Sequence, residues 1–259
     1  MNCEAIRLHI VDWLKTYAGA AGSKGFVVGI SGGIDSAVTS ALCADTGLKV
    51  MCLNMPIRQS HPELSRSQEH IDWLKQKYGN ITSGTVELTP VFDCLETALP
   101  EDARTFLSLA NSRARLRMTT LYAFAGAGDL LVAGTGNKIE DFGIGFFTKY
   151  GDGGVDLSPI ADLYKTDVYK LADHYKIPES IRKAQPTDGL FADNRTDEDQ
   201  IGASYPELEW AMEYVHSGSH SELSDRQKKV LDIYVMRHRA NRHKMEMPPF
   251  CRIPDEYKK

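Results

Sequence analysis

The feature that most constrains the fold is a short apolar run that ends in a glycine pair and leads directly into a helical pattern. Residues 26–30 read FVVGI, an unbroken apolar segment typical of a strand buried on both faces. After the glycines Gly32 and Gly33, residues 35–44 have the composition of a helix. The sequence therefore predicts a strand, a tight turn and a helix in that order.

The same design recurs later, where LLVAGTGNK (130–138) is an apolar strand followed by a second glycine turn. Further strands are predicted at 48–55 and 81–88, with helices between the strands. Strands that alternate with helices predict an α/β fold with a doubly wound parallel sheet of Rossmann-like type. Ligands bind beyond the carboxyl ends of such strands, where both glycine turns lie. After residue 150 the patterns favour helices, including 223–244, and we expect one domain over 1–259 with a helical C-terminal elaboration.

Composition excludes several classes of protein. The formal net charge of −5 argues against a protein that coats nucleic acid, and no nucleic-acid partner is expected. The five cysteines include no CxxC pair, so neither a zinc site nor a disulfide framework is indicated. No apolar run of about 18 residues and no signal-peptide pattern occurs, which predicts a cytoplasmic protein without a membrane partner.

The first glycine turn, GISGGIDS (29–36), matches neither the P-loop nor the GxGxxG pattern. Its glycines nevertheless permit a backbone whose N–H groups point at an anion, and the following helix adds its positive end. Ser31 and Ser36 supply hydroxyl groups. The alternative is an ordinary glycine turn in which Asp35 stabilises the helix dipole. Because the turn follows a buried strand and carries two serines, we favour phosphate binding.

The SGGxDS pattern resembles the signature of the ATP pyrophosphatase family, whose members cleave ATP between the α and β phosphates. The resemblance implies an adenine nucleotide alpha-hydrolase type of fold. It implies that the loop holds the departing pyrophosphate and that Asp35 binds Mg²⁺. The implied ATP-binding segment is Gly29, Ile30, Ser31, Gly32, Gly33, Ile34, Asp35 and Ser36.

Residues 134–169 narrow the resemblance to the NAD synthetase family, which amidates deamido-NAD with ATP and ammonia. Similarity extends to NSRARLRM (111–118), to a Pro-Thr pair and to RHK near residue 243. The resemblance implies further ATP contacts at Thr135, Lys165 and Thr187, and a second magnesium ligand at Glu140. It implies deamido-NAD contacts at Arg115, Lys149, Asp156, His243 and Lys244.

Two departures from the family pattern leave alternatives open. The segment between Glu140 and Gly145 is one residue longer than in many synthetases, so Asp141 competes as the metal ligand. An extra residue also precedes the Pro-Thr pair that contains Thr187. The basic residues at 113–117 and 236–244 are also explained as solvated helix surfaces.

The resemblance implies a mechanism. The deamido-NAD carboxylate attacks the α phosphorus, and ammonia then replaces AMP, with Asp152 binding ammonium and accepting its proton. Lys165 is expected to neutralise the departing pyrophosphate, and loops 56–66 and 186–204 are expected to close over the substrates. Free ammonia, or ammonia from a separate protein, is the expected donor, since 259 residues leave no room for a glutaminase domain. A homodimer is expected. The rival functions are a tRNA thiolase or GMP synthetase on the same loop, and a nucleotide sensor without catalysis.

Overall fold

A computed structural model describes residues 1–59, 61–185, 196–218 and 222–258. Within these ranges no helix is both long enough and apolar enough to span a bilayer. The predicted ATP contact Thr187 lies outside the described residues, as does most of the predicted loop 186–204.

Strands and helices alternate through the first half of the chain and helices follow. The strands are β1 (Gly25–Gly29), β2 (Lys49–Asn54), β3 (Ile81–Thr85) and β4 (Leu131–Val132). The helices are α1 (Cys3–Ala20), α2 (Ile34–Asp45), α3 (His61–Lys77), α4 (Thr89–Ala98), α5 (Phe106–Gly128), α6 (Lys165–Tyr175), α7 (Glu179–Arg182), α8 (Asp197–Ile201), α9 (Tyr205–Ser217) and α10 (Asp225–Met245). A π-helix occupies Ile139–Ile144.

The four strands form one parallel sheet in the order β3-β2-β1-β4. β1 pairs with β2 from Gly25 opposite Lys49 to Gly29 opposite Leu53, and it pairs with β4 on its other side. Beyond β4, an isolated parallel bridge joins Ala133 to Leu157. Helices pack on both faces of this sheet, so the predicted α/β fold with a parallel sheet is confirmed.

Alternating residues of the central strand point into two separate cores. Phe26 and Val28 pack in the core under α1, α2, α3 and α6. Val27 packs in the opposite core, with α4 and α5. This period of two is the geometry of a strand, and burial on both faces explains why the strand reads as an unbroken apolar run.

The C-terminal helices form a third core that lies beside the sheet rather than on it. Ile139 and Ile144 of the π-helix pack there against Leu208 of α9 and Tyr234 of α10. This core therefore holds the segment after the second glycine turn against the helical part of the chain, which brings Glu140 near side chains from α9.

Several predicted boundaries were wrong. The strand predicted before the second glycine turn is short, only Leu131–Val132, because the chain turns away after Ala133. The strand predicted at 81–88 ends at Thr85. Both predicted loops are partly helical, since α3 begins at His61 and α8 covers Asp197–Ile201. In α8, Thr196 and Asp199 form a capping box, a local signal for a helix start that lies inside the predicted loop.

Candidate active site

The first glycine turn lies between the carboxyl end of β1 and the start of α2. Gly32 has a φ of 83°, a left-handed conformation that favours glycine. The Ser36 hydroxyl donates to the Gly33 carbonyl at 2.9 Å and accepts from the Ser31 N–H at 3.3 Å. These bonds fix the turn so that the first N–H groups of α2, which have no partner within the helix, face outward. Such a helix start binds anions, including phosphate.

A buried lysine joins two carboxylates from distant parts of the chain. Lys165, at the first position of α6, is 3% exposed, and its Nζ lies 2.5 Å from Asp35 Oδ2 and 3.1 Å from Glu140 Oε1. Burial lowers the pKa of Lys165, but the two carboxylates outweigh that effect and raise it. The lysine is therefore charged. We call Lys165, Asp35 and Glu140 the lysine–carboxylate centre.

Three further polar side chains hold this centre in place. Asn137 in the second glycine turn donates to Asp35 Oδ1 at 3.1 Å and accepts from the Glu140 N–H at 3.2 Å. The Tyr205 hydroxyl donates to Glu140 Oε1 at 2.6 Å and lies 3.3 Å from Asp197 Oδ2. These contacts connect the sheet to the start of α9, so the position of Glu140 depends on both parts of the fold.

The lysine–carboxylate centre fits a magnesium ion. Asp35 and Glu140 converge on one cationic atom, so the two carboxylates already share a position for positive charge. Mg²⁺ is commonly bound by one or two carboxylates together with substrate phosphates and water. No group of three or more His, Cys, Asp or Glu side chains suited to a metal occurs in the described ranges. Asp35 and Glu140 are the two carboxylates that would hold such an ion beside a phosphate ligand.

The segment between Glu140 and Gly145, which the family resemblance implies is one residue longer than in many synthetases, lies in the π-helix Ile139–Ile144. The hydrogen bonds of a π-helix span one residue more than those of an α-helix, and short π-helices are frequent at functional sites. The Glu140 carboxylate faces Lys165, whereas Asp141 packs closely against Gly136. Burial and the neighbouring carboxylates raise the pKa of Asp141 to about 8. The geometry favours Glu140 over Asp141 as the metal ligand.

A cavity of about 800 Å³ lies over both glycine turns and is closed on its far side by α5 and the end of α10. Most of the residues predicted for the site line it. They are Gly29, Ile30, Ser31, Gly32, Gly33, Ile34, Asp35, Ser36, Arg115, Thr135, Glu140, Lys149, Asp152, Lys165, His243 and Lys244. One cavity thus contains the candidate phosphate turn, the lysine–carboxylate centre and a basic wall.

The basic wall is built by contacts between three segments. Arg115 on α5 donates to the Lys149 carbonyl at 3.3 Å, and Lys149 Nζ donates to the His243 carbonyl at 2.6 Å. Lys244 donates to the Phe147 carbonyl at 2.7 Å. These bonds hold the end of α10 against the segment that follows the π-helix, and they present cationic side chains to the cavity.

Asp152 lies on the segment after this wall and is open to the cavity. Its Oδ1 accepts from the Thr148 N–H at 3.0 Å. Desolvation raises the pKa of the Asp152 carboxyl, and the hydrogen bond from the Thr148 N–H lowers the pKa by a smaller amount. A carboxyl with a raised pKa beside a cavity is suited to accept a proton.

Asp156, a predicted deamido-NAD contact, does not line this cavity. Its carboxylate accepts from the Val132 N–H at 2.8 Å and from the Tyr122 hydroxyl at 3.0 Å. It lies instead beside a second, shallower depression that includes Trp13 and Tyr17. Within this chain the carboxylate therefore supports the edge of the sheet.

Sequence reasoning missed Tyr205, Asp197 and Asn137, together with Arg66 on α3, which also lines the cavity. Asn137 follows the second glycine turn, and its place there was an available signal. The others are ordinary polar residues of helices, and no local pattern links them to the glycine turns.

The chain is similar to one family of known proteins over most of its length. A family model described as NAD synthase matches residues 6–248. The chain is 36% identical to an NH(3)-dependent NAD(+) synthetase from Methanosarcina mazei over 99% of this chain and 100% of that protein. It is 40% identical to the protein of the same name from Mycoplasma genitalium, over 86% of each chain.

Two solved structures are similar over nearly their whole length. An NMN synthetase from Francisella tularensis matches with a TM-score of 0.86 and 29% identity, covering 98% of this chain and 100% of that one. An NH3-dependent NAD synthetase from Campylobacter jejuni matches with a TM-score of 0.80 and 26% identity, over 97% and 100% respectively.

Proposed function

The chain belongs to the NAD synthase family, and on that premise we propose that it amidates deamido-NAD to NAD with ATP and ammonia. The observation that carries the proposal is the convergence, in one cavity, of a phosphate-binding turn, a lysine–carboxylate centre and Asp152. The first two suit the departure of pyrophosphate, and the third suits an incoming amine.

ATP binds with its β and γ phosphates at the first glycine turn, where the start of α2 supplies N–H groups and positive potential. Asp35 and Glu140 would hold a Mg²⁺ ion, which would supply positive charge to neutralise the phosphates. Lys165 lies between these carboxylates and keeps its own charge at the same place. Thr135 in the second glycine turn, and Thr187, are the remaining proposed ATP contacts.

In the first step a carboxylate oxygen of deamido-NAD forms a bond to the α phosphorus while the bond to the β-phosphate oxygen breaks. Pyrophosphate leaves with the electron pair, and an acyl adenylate remains. No protein nucleophile is needed, because this chemistry depends on positioning and on charge stabilisation. Arg115, Lys149, His243 and Lys244 on the basic wall are placed to hold the anionic dinucleotide.

In the second step ammonia attacks the acyl carbon, the bond from that carbon to the bridging oxygen of the anhydride breaks, and AMP leaves with this oxygen and the electron pair. Ammonia is mostly ammonium at neutral pH, so a base is required. The Asp152 carboxylate binds ammonium and takes one proton, a role favoured by the raised pKa of this group. The second proton that nitrogen loses on forming the amide passes to the departing AMP phosphate or to water. The nitrogen donor is free ammonia, as in the relatives described as NH(3)-dependent.

We place this reaction in the cytoplasm, the compartment of its substrate ATP, and we assign the active form as a homodimer. Isologous dimers are the commonest assembly of soluble proteins. Trp13 and Tyr17 of α1 and Tyr122 of α5 are each about 40% exposed, near the depression that includes Asp156. We propose that a second copy covers this surface.

The proposal is tested by incubating the protein with ATP, Mg²⁺, ammonium and deamido-NAD. NAD and AMP are expected to form in equal amounts, and Asp152→Asn is expected to lower the rate most at low ammonium concentration. ATP binding without AMP release would favour a nucleotide sensor instead.

A second candidate substrate follows from the similarity to an NMN synthetase, which has the higher TM-score of the two structures compared above. The amidated carboxylate then belongs to nicotinate mononucleotide, and the chemistry is unchanged. The position of Asp156 outside the cavity of a single chain favours a shorter ligand there. A higher kcat/KM for the mononucleotide than for deamido-NAD would reassign the substrate.

A further inference from the structure

Arg66 on α3 is a cavity residue for which neither the sequence nor the chemistry above supplies a role. Six other cationic residues that line the cavity each donate to a protein oxygen: Arg115, Arg117, Lys149, Lys165, Arg237 and Lys244. Arg66 differs, because no hydrogen bond from its guanidinium occurs within the parts of the chain that the structure describes, and its Nε is buried. A partly buried guanidinium without a partner is costly, so its position favours a bound anion.

The fold determines where Arg66 stands relative to the phosphate turn. α2 and α3 each connect one parallel strand to the next, and both pack into the same core, so they run in the same direction. They are joined by a buried hydrogen bond of 2.8 Å between Ser40 Oγ and His70 Nε2. Arg66 precedes His70 by four residues, and Ser36 precedes Ser40 by four.

Ser40 and His70 lie at the same height because they are in contact. On each helix, the residue four positions earlier lies about one turn closer to the helix start, so these two earlier residues are also at the same height. Arg66 therefore stands level with Ser36, at the first turn of α2, and both residues line the cavity. The Ser40–His70 bond, one helical turn further along both helices, fixes this alignment. Ser40 also donates to the Ser36 carbonyl at 2.7 Å, so hydrogen bonds through Ser40 link His70 to the phosphate turn.

We propose that Arg66 binds the β and γ phosphates of ATP and follows them as the departing pyrophosphate. The inference rests on the proposed binding of ATP at the first glycine turn. Asp35 and Glu140 leave the ammonium of Lys165 largely compensated. Arg66 adds a further positive charge to the cavity wall, and it forms no ion pair with the residues that the structure describes. A guanidinium presents paired N–H donors that match phosphate oxygens.

The test compares nucleotide affinities by calorimetry at one magnesium concentration. Arg66→Gln is expected to weaken the binding of ATP and of inorganic pyrophosphate by about tenfold to a hundredfold, the usual range for losing hydrogen bonds to a charged group. The affinity for AMP, which lacks both outer phosphates, is expected to stay unchanged. Arg66→Lys keeps the charge and is expected to recover part of the loss.

The matched control is Arg239→Gln, a substitution on an exposed residue of α10 that lies outside the cavity. It is expected to leave all three affinities as they are. Equal weakening of ATP and AMP by Arg66→Gln would overturn the proposal, as would an unchanged ATP affinity with weaker deamido-NAD binding.

These measurements are separate from catalysis. If the wild-type protein made no NAD but Arg66→Gln still selectively weakened ATP and pyrophosphate, the proposed function would fail and the role of Arg66 would stand. If the wild-type protein made NAD and the variant bound ATP normally, the role of Arg66 would fail alone.

Discussion

The Nζ of Lys165 lies 2.5 Å from Oδ2 of Asp35, although 130 residues separate them in the chain. Glu140 completes the centre from the second glycine turn, so three elements meet at one buried charge. The arrangement answers a difficulty raised by the sequence, namely a carboxylate inside a phosphate turn. Asp35 faces a cation that belongs to the chain itself, and it is placed to share a second cation with the phosphates.

Replacing Lys165 is expected to destabilise the protein as well as inactivate it. Lys165→Met leaves two partly buried carboxylates without their cation, and breaking a largely buried pair in this way costs about 3–5 kcal/mol. Because Mg²⁺ can then take over the position, it is expected to raise the melting temperature of the variant more than that of the wild type. Thermal unfolding with and without Mg²⁺ measures this difference.

The control for that substitution is Lys170→Met on the same helix, where the side chain is half exposed and pairs with Asp167 three residues away. This exposed pair is worth little, so a small change is expected. Equal effects of Mg²⁺ on both variants would argue against a shared cation position at the lysine–carboxylate centre.

Glu140 and Asp141 are expected to respond differently to neutralisation. Glu140→Gln removes a carboxylate oxygen that faces Lys165, and it is expected to raise the Mg²⁺ concentration needed for half-maximal activity by about tenfold or more. Asp141→Asn alters a carboxyl whose pKa of about 8 already leaves it mostly protonated at neutral pH, so the magnesium requirement is expected to stay unchanged. Magnesium titration of the initial rate separates them, and the reverse ranking would transfer the ligand role to Asp141.

Tyr205 is expected to act by positioning Glu140. Tyr205→Phe removes a hydroxyl that donates to the carboxylate at 2.6 Å, at a cost of about 1.5–3 kcal/mol in stability. The variant is expected to need more Mg²⁺ because Glu140 is less well held. Tyr234→Phe is the control, since Tyr234 is buried in the same core and no contact links it to either carboxylate among the described residues. If both variants behaved alike, Tyr205 would be a packing residue.

The buried His70 predicts a pH dependence of stability. Desolvation lowers its pKa from 6.5 to about 3, against a smaller opposing effect of the Ala37 carbonyl. Between these two pH values the unfolded chain binds a proton that the folded chain excludes. The contribution of neutral His70 to the free energy of unfolding is therefore complete above pH 6.5. It decreases by about 1.4 kcal/mol per pH unit as the pH falls from 6.5 towards about 3.

Urea unfolding at several pH values checks this prediction. His70→Gln is expected to flatten the dependence of the free energy of unfolding on pH over that range, whereas His9→Gln, at an exposed position of α1, is expected to leave it unchanged. A wild-type slope retained in the His70 variant would show that other groups cause it.

Much of the sheet could be predicted because its signals are local. FVVGI reads as a buried strand since both of its faces are covered, and the glycine pair reads as a turn since Gly32 needs a positive φ. The length of β4 could not be predicted in the same way. Its apolar run extends beyond the residues that pair, and pairing depends on where the chain leaves the sheet.

The residues of the candidate site also fall into two groups, those that a local motif marks and those that only packing brings to the cavity. Asp35 and Glu140 follow glycine turns, so their positions are marked by motifs. Tyr205 and Arg66 come from helices whose packing on the sheet brings them to the cavity, and nothing in their neighbouring residues indicates that contact. The extra residue before Gly145 was visible in the sequence, but only the π-helix shows that Glu140 still faces Lys165.

The central claim, activation of the carboxylate as an acyl adenylate in this cavity, is tested most directly by isotope transfer. Deamido-NAD carrying ¹⁸O in its nicotinate carboxylate is converted with ATP and ammonium, and the products are analysed by mass spectrometry. One ¹⁸O atom is expected in each AMP, because the oxygen that attacks the α phosphorus leaves with it. NAD formed alongside unlabelled AMP would contradict the account.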